Sequence, residues 1–227
     1  MRTPTLTTNA ESAHFDTTRS TSTVSADIAA VLKFPHQEKT CCDCLSRERC
    51  PVSRQMSAEP GRQAVVVSGS QVLEQGEHLF QENHAAEALY IVKSGSAKVY
   101  FTSEDGSEQV VAFYMPGDVL GLDALGVKRH ASSALALEST SVCVIPFAAL
   151  EEACANLSAS GWHQCLYKLL SRELNRDHLT MELITKKDAE AKMAGFMLYL
   201  SGQFRERGYS ASSFNLSMKR SEIGSYL

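Results

Sequence analysis

Leu89-Tyr90-Ile91-Val92, a Ser94-Gly95 turn, and then Ala97-Lys98-Val99-Tyr100-Phe101 decide the fold. Two short runs rich in β-branched and aromatic residues flank a glycine turn, which is the pattern of paired strands. Downstream, Asp105-Gly106 is a tight-turn signal, followed by the strand-like run Gln109-Val110-Val111-Ala112-Phe113-Tyr114 and the turn Pro116-Gly117-Asp118. A last strand reads Ser141-Val142-Cys143-Val144-Ile145. Short strands separated by glycine turns, from about residue 62 to 147, predict an antiparallel barrel or jelly roll. With helices after it, the class is α+β.

Upstream lies Cys41-Cys42-Asp43-Cys44-Leu45-Ser46-Arg47-Glu48-Arg49-Cys50, four thiols within ten residues. Cys41, Cys44 and Cys50 have the spacing Cys-x2-Cys-x5-Cys, and thiolates this close suit a soft metal centre. Zinc and an iron–sulfur cluster both accept such ligands, and either usually needs a fourth. His36 is one source. Three sulfurs at 41, 42 and 44 crowd one another, so Cys42 is set aside. Pro51 disfavours helix at Cys50, leaving a turn-rich loop. Seven cysteines, an odd number, speak for metal or redox chemistry over a disulfide scaffold. Before this segment, residues 1–35 are rich in Thr, Ser and Ala and read as a disordered tail.

Beyond the strands, Ser158 to Lys187 reads as one helix of about 30 residues, or about 45 Å. Leu166, Leu170, Leu174, Asp177, Met181 and Ile184 recur at intervals of three and four, a seam of coiled-coil type. A helix that outruns a small barrel favours pairing with a second copy, a homodimer. Asp177 either faces its own copy across the seam, with repulsion of a few kcal/mol at an effective dielectric of about 20, or splays out to water or Arg176. A second helix is expected from Ala189 to Arg207, ended by Gly208. Phe214–Met218 then reads as a strand-like link, and Lys219–Leu227 as a further helix with Ser221 as cap.

A net charge of -4 gives no global basic field, so a nucleic-acid surface has to be local. No apolar run spans a bilayer and no signal-peptide core is visible; no membrane partner is expected, and the location is cytoplasmic. No Ser/His/Asp constellation, P-loop or paired carboxylates stand out, so no enzyme is expected.

In this order of parts the chain resembles the Crp/Fnr family of bacterial transcription regulators, and within it the oxygen-sensing fumarate–nitrate reduction type. Besides the cysteines, the carrying stretches are Ala88–Gly95, Pro116–Gly121, Ala136–Phe147, Lys186–Glu190 and Arg220–Leu227. The resemblance covers roughly residues 38–227. It implies an oxygen-labile [4Fe–4S] cluster on Cys41, Cys44, Cys50 and Cys143; on its own, Cys143 reads as a small core residue. It implies a β-roll of the cyclic-nucleotide-binding type, a dimerisation helix carrying Asp177 and a winged helix-turn-helix. The divisions are a tail (1–35), a cluster-binding segment (36–58), the β-roll (59–155), the dimerisation helix (156–187) and the start of the helix-turn-helix (188–227).

Cyclic-nucleotide members carry an Arg for the ligand phosphate. His130 stands there in this chain, and Gly121-Leu122-Asp123 replaces Gly-Glu-Leu, so no cyclic nucleotide is expected as effector. Arg49 stands where an apolar shielding residue is usual. It either admits oxygen sooner or, with Arg47, balances the cluster's negative charge. The sequence closes at the first helix of the helix-turn-helix, so the recognition helix is absent and the chain reads as a fragment or a short form that does not bind DNA. Lys219 and Arg220 remain as contacts to the DNA backbone. The loop Ser103–Gly106 resembles a surface offered to RNA polymerase, or is a plain hairpin tip. Cys154 and Cys165 read as core or interface thiols, and Trp162 as packing. The rivals are a zinc-binding or otherwise redox-responsive regulator and, in another class, a redox enzyme or electron carrier.

Overall fold

The computed structural model describes residues 39–40, 50, 52, 66–67, 69–155 and 160–227. The tail, His36, Cys41, Cys42, Cys44, Arg47 and Arg49 lie outside the described residues, as do the side chains of Cys154 and Trp162.

The expected β-roll is present. Its strands are β3 (Gly69–Leu73), β4 (His78–Phe80), β5 (Ala88–Ser94), β6 (Ala97–Thr102), β7 (Glu108–Tyr114), β8 (Val119–Leu120), β9 (Ser133–Ala136) and β10 (Thr140–Pro146). They form two four-stranded antiparallel sheets, ordered β3-β10-β5-β8 and β4-β9-β6-β7. A two-stranded ribbon precedes them, β1 (Lys39–Thr40) against β2 (Val66–Val67), and β2 lies against β10.

The β5–β6 turn needs its glycine. Gly95 has φ 79°, and a Cβ there would sit 2.5 Å from the Ser139 carbonyl oxygen and from Thr140 Oγ1. Thr140, fully buried, accepts the Ser96 N–H at 3.2 Å and donates to the Ser96 carbonyl at 3.0 Å, so the turn is stitched to β10.

β5 and β10 are buried on both faces. Val92 and Val142 point into the roll, where they meet Leu73, Val99 and Leu120. Leu89, Ile91 and Ile145 point outward into a second cluster with Val52, Leu150, Cys165 and Leu169. Alternation therefore fails in these two strands, because helices cover what would otherwise be a solvent face.

After the roll, among the described residues, come the helices α1 (Phe147–Ala155), α2 (Ser160–Ile184), α3 (Ala189–Glu206) and α4 (Arg220–Tyr226). α2 has 25 residues and stops before Lys187, short of the expected length. The Thr185 N–H still makes the helical bond to the Met181 carbonyl at 3.1 Å, but the Lys186 N–H bonds the Leu183 carbonyl, three residues back, at 3.3 Å, so the last turn tightens and the helix ends. α3 ends as predicted at Gly208, φ 78°. Tyr209 N–H reaches the Phe204 carbonyl and Gly208 N–H the Arg205 carbonyl, both at 2.9 Å, while the rings of Phe204 and Tyr209 meet edge-on at 6.2 Å.

Two expectations are corrected. Phe214–Met218 forms no strand. Its one ring packs instead of its backbone pairing, with Phe214 stacked on Phe204 at 4.5 Å. Ser221 does not cap α4; Lys219 is the cap residue, and the Glu222 carboxylate accepts its backbone N–H at 2.7 Å.

Candidate functional site

Cys143 sits mid-strand in β10, opposite Ser70 of β3 and Ile91 of β5. It shares the outward face with Ile145 and is half-buried. Cys50, also half-buried, packs against the same apolar cluster as Cys143, beside Val52, which is 0% exposed. Thiols far apart in sequence are thus brought to one patch, with the first turns of α2 on its other side. β1 ends at Thr40, the residue before Cys41, and its partner strand β2 lies on β10.

A third thiol borders this patch. Cys165 of α2 is 2% exposed, as befits the core thiol expected from sequence, and burial, reinforced by Cys50, raises its pKa to about 11. It is a neutral thiol at neutral pH. Its position next to Cys50 had no sequence signal, because the contact is tertiary. Among the described residues no three His, Cys, Asp or Glu side chains come together as a metal ligand set; Cys41 and Cys44 are not among those residues.

The seam of α2 is largely uncovered. Leu170 is 40% exposed, Leu174 57% and Met181 59%, with Asp177 exposed and Leu166 and Ile184 half-buried. Arg176 is not a partner for Asp177. It pairs with Glu173, and its guanidinium lies 3.9 Å from the Tyr114 ring centre. Tyr114 donates its hydroxyl proton to Glu173 at 2.8 Å, and burial raises the pKa of both.

Between α2 and the roll is a cavity of about 450 Å³, walled by Phe80, Tyr114, Leu122, Leu170 and Leu174 among others. Its charged lining is Asp123, Glu173 and Asp177, with no Lys or Arg. His130 is 2% exposed and stacked on Phe80 at 3.7 Å; burial lowers its pKa, so it stays neutral. A phosphodiester entering here meets carboxylates and no cation.

Residues 70–156 match the cyclic nucleotide-binding domain family. The transcriptional activator protein Anr of Pseudomonas protegens is 38% identical over 193 residues, 85% of this chain and 78% of the relative. The fumarate and nitrate reduction regulatory protein of Escherichia coli is 34% identical over 187 residues, 82% of this chain and 74% of the relative. The chain belongs to the Crp/Fnr family of transcription regulators. Among solved structures, FixK2 of Bradyrhizobium japonicum superposes on this Crp/Fnr regulator with TM-score 0.57 and 28% identity, covering 70% of this chain and 76% of FixK2.

Membership gives meaning to the remaining geometry. In this Crp/Fnr regulator α3 and α4 share one core with the roll, joining Phe196, Leu200, Ile223 and Tyr226 to Tyr100, Val110 and Phe113. Lys219 and Arg220, the expected phosphate contacts, are exposed. Two residues at the joints were not foreseen. Asp118, from the Pro-Gly-Asp turn, accepts from Arg172 of α2 and from Arg207. Lys98, 5% exposed, pairs with Glu108 and Glu222. A lysine inside a strand run was the only sequence hint of either. Among the described residues no helix is long and apolar enough to cross a membrane.

Proposed function

We propose that this regulator responds to oxygen in the cytoplasm through a [4Fe–4S] cluster held by Cys41, Cys44, Cys50 and Cys143. The observation that carries the reading is the packing of Cys50 and Cys143 on one apolar cluster shared with Cys165 and Leu169 of α2. The donor set fits, since four thiolates are an ordinary complement for such a cluster. When bound, the cluster supplies an oxygen-labile tie between the N-terminal segment and β10. Cys143 anchors it on a rigid central strand. Val52, Ile91 and Leu169 keep water from one side.

The protein's own residues carry the response. α2 pairs with a second copy through Leu166, Leu170, Leu174, Asp177, Met181 and Ile184. Two Asp177 carboxylates facing each other repel by a few kcal/mol at an effective dielectric of about 20. A dimer poised this near balance is shifted by a modest change at the start of α2, where Cys165 and Leu169 touch the thiol patch. The dimer then meets DNA, with Lys219 and Arg220 on phosphate, and its exposed Ser103–Gly106 tip is available to RNA polymerase. The carboxylate-lined cavity opposes a cyclic nucleotide as effector.

The test is an anaerobic preparation with iron and sulfide counted, a visible spectrum, and mass in solution, repeated after air. Expected are about four irons and four sulfides per chain, colour, and a dimer that dissociates as the colour bleaches. Cys143→Ser loses colour and pairing. Stoichiometric zinc without sulfide overturns the cluster in favour of a zinc-binding regulator.

A further inference from the structure

β7 is the last strand of its sheet, so the outward backbone groups of that edge have no strand partner. Helix α4 covers them. Ser225 Oγ accepts the Val110 N–H at 2.9 Å and donates to the Glu108 carbonyl at 2.7 Å. The Gln109 side-chain amide donates to the Ser225 carbonyl. One serine thus fills the place of a neighbouring strand.

Three further ties hold the helix there. Lys98 Nζ lies 2.5 Å from Glu108 and 3.0 Å from Glu222 of α4. The Tyr226 ring packs on Phe113 and Phe196, each at 5.3 Å between ring centres. Its hydroxyl meets Thr180 of α2 at 2.9 Å.

The docked position brings two acids of the roll, Glu138 and Glu108, to the base of α4. Glu138 of the roll accepts from Ser217 at 2.7 Å, two residues before Lys219, whereas Glu222, which accepts the Lys219 N–H at 2.7 Å, belongs to α4 and moves with it. Glu108 lies across Lys98 from Glu222. The cation among these acids, Lys98, is buried. Lys98 balances one of these charges, and a phosphate backbone approaching Lys219 and Arg220 in the docked position still meets the Glu138 and Glu108 carboxylates, which opening leaves behind on the roll.

We propose that α4 is latched onto the β7 edge in a closed position that opposes contact with a nucleic-acid backbone, and that it opens as a unit. This rests on the DNA-binding reading given above. Ser225 is the key of the latch, because removing its hydroxyl strands the Val110 N–H and the Glu108 carbonyl without touching any charge.

The experiment is hydrogen exchange by mass spectrometry on the full chain, paired with binding to a short random-sequence DNA duplex at low salt. In Ser225→Ala, segments 108–114 and 220–226 exchange faster together while β5 and β10 do not change, and duplex affinity rises roughly three- to tenfold as the open fraction grows. In the wild type, saturating duplex removes protection from the Val110 amide. Unchanged exchange in both segments of Ser225→Ala overturns the latch. Faster exchange with unchanged or weaker affinity, or a Val110 amide still protected under saturating duplex, overturns its inhibitory role. If neither chain binds duplex while exchange rises as expected, the DNA-binding reading itself falls, and the inhibitory role with it.

Discussion

Asp118 Oδ1 lies 2.8 Å from Arg207 Nη2, with the two side chains only 8% and 9% exposed. The same oxygen also accepts from Arg172 of α2 at 2.9 Å, and Oδ2 accepts the Met115 N–H at 2.8 Å. One carboxylate in a roll turn thus joins the long helix and the end of α3.

Truncating that carboxylate leaves a buried guanidinium uncompensated. Asp118→Ala lowers stability by about 3–5 kcal/mol. Arg172 is 48% exposed, and Arg172→Ala costs less than about 1 kcal/mol. Urea unfolding midpoints at matched protein concentration separate the two; equal losses would show that burial does not set the cost.

Two glycines with similar left-handed backbones respond differently to alanine. At Gly106, φ 81°, a new Cβ meets nothing within 4 Å, so Gly106→Ala costs about 1 kcal/mol, from the backbone alone. At Gly95 the Cβ would meet the Ser139 backbone and Thr140 at 2.5 Å. Gly95→Ala loses more than about 3 kcal/mol. Thermal melts of the two variants rank them directly.

His130 sets a pH dependence. Burial lowers its folded pKa, and the nearby charge of Asp123 only partly offsets this. The unfolded chain, with a value near 6.5, binds the proton more readily. Stability is therefore complete above about pH 6.5 and falls as pH drops from there toward the folded pKa. His130→Phe keeps a ring against Phe80 and removes this contribution; urea midpoints from about pH 7.5 to 5 flatten in the variant.

The seam gives a prediction that stands on the proposed pairing of α2. Asp177→Ala removes like-charge repulsion and tightens the dimer about tenfold or more, while Leu174→Glu, at a side chain 57% exposed in the single chain, weakens it without loss of helix. Sedimentation reads the association and circular dichroism the helix. A wild-type chain that stays monomeric with and without iron removes the seam from the mechanism.

The strands of the roll were legible where turn chemistry punctuated them, at Ser94-Gly95, Asp105-Gly106 and Pro116-Gly117-Asp118. The Gly208 stop of α3 was legible for the same reason, since few other residues adopt its conformation cheaply. No local pattern set Cys143 apart, because a cysteine in a strand looks like any small apolar residue. The exposed seam of α2 followed from its spacing, but the engagement of Arg176 with Glu173 and Tyr114 did not.

The sequence by itself determined the local elements, their order and the thiol spacing, because turn preferences, periodicity and ligand chemistry act over a few residues. Only the tertiary structure decided which groups meet: Cys50, Cys143 and Cys165 at one patch, Asp118 between Arg172 and Arg207, and Ser225 against the β7 edge. Such contacts join residues from distant parts of the chain, and their strength comes from shared burial, which no local pattern encodes.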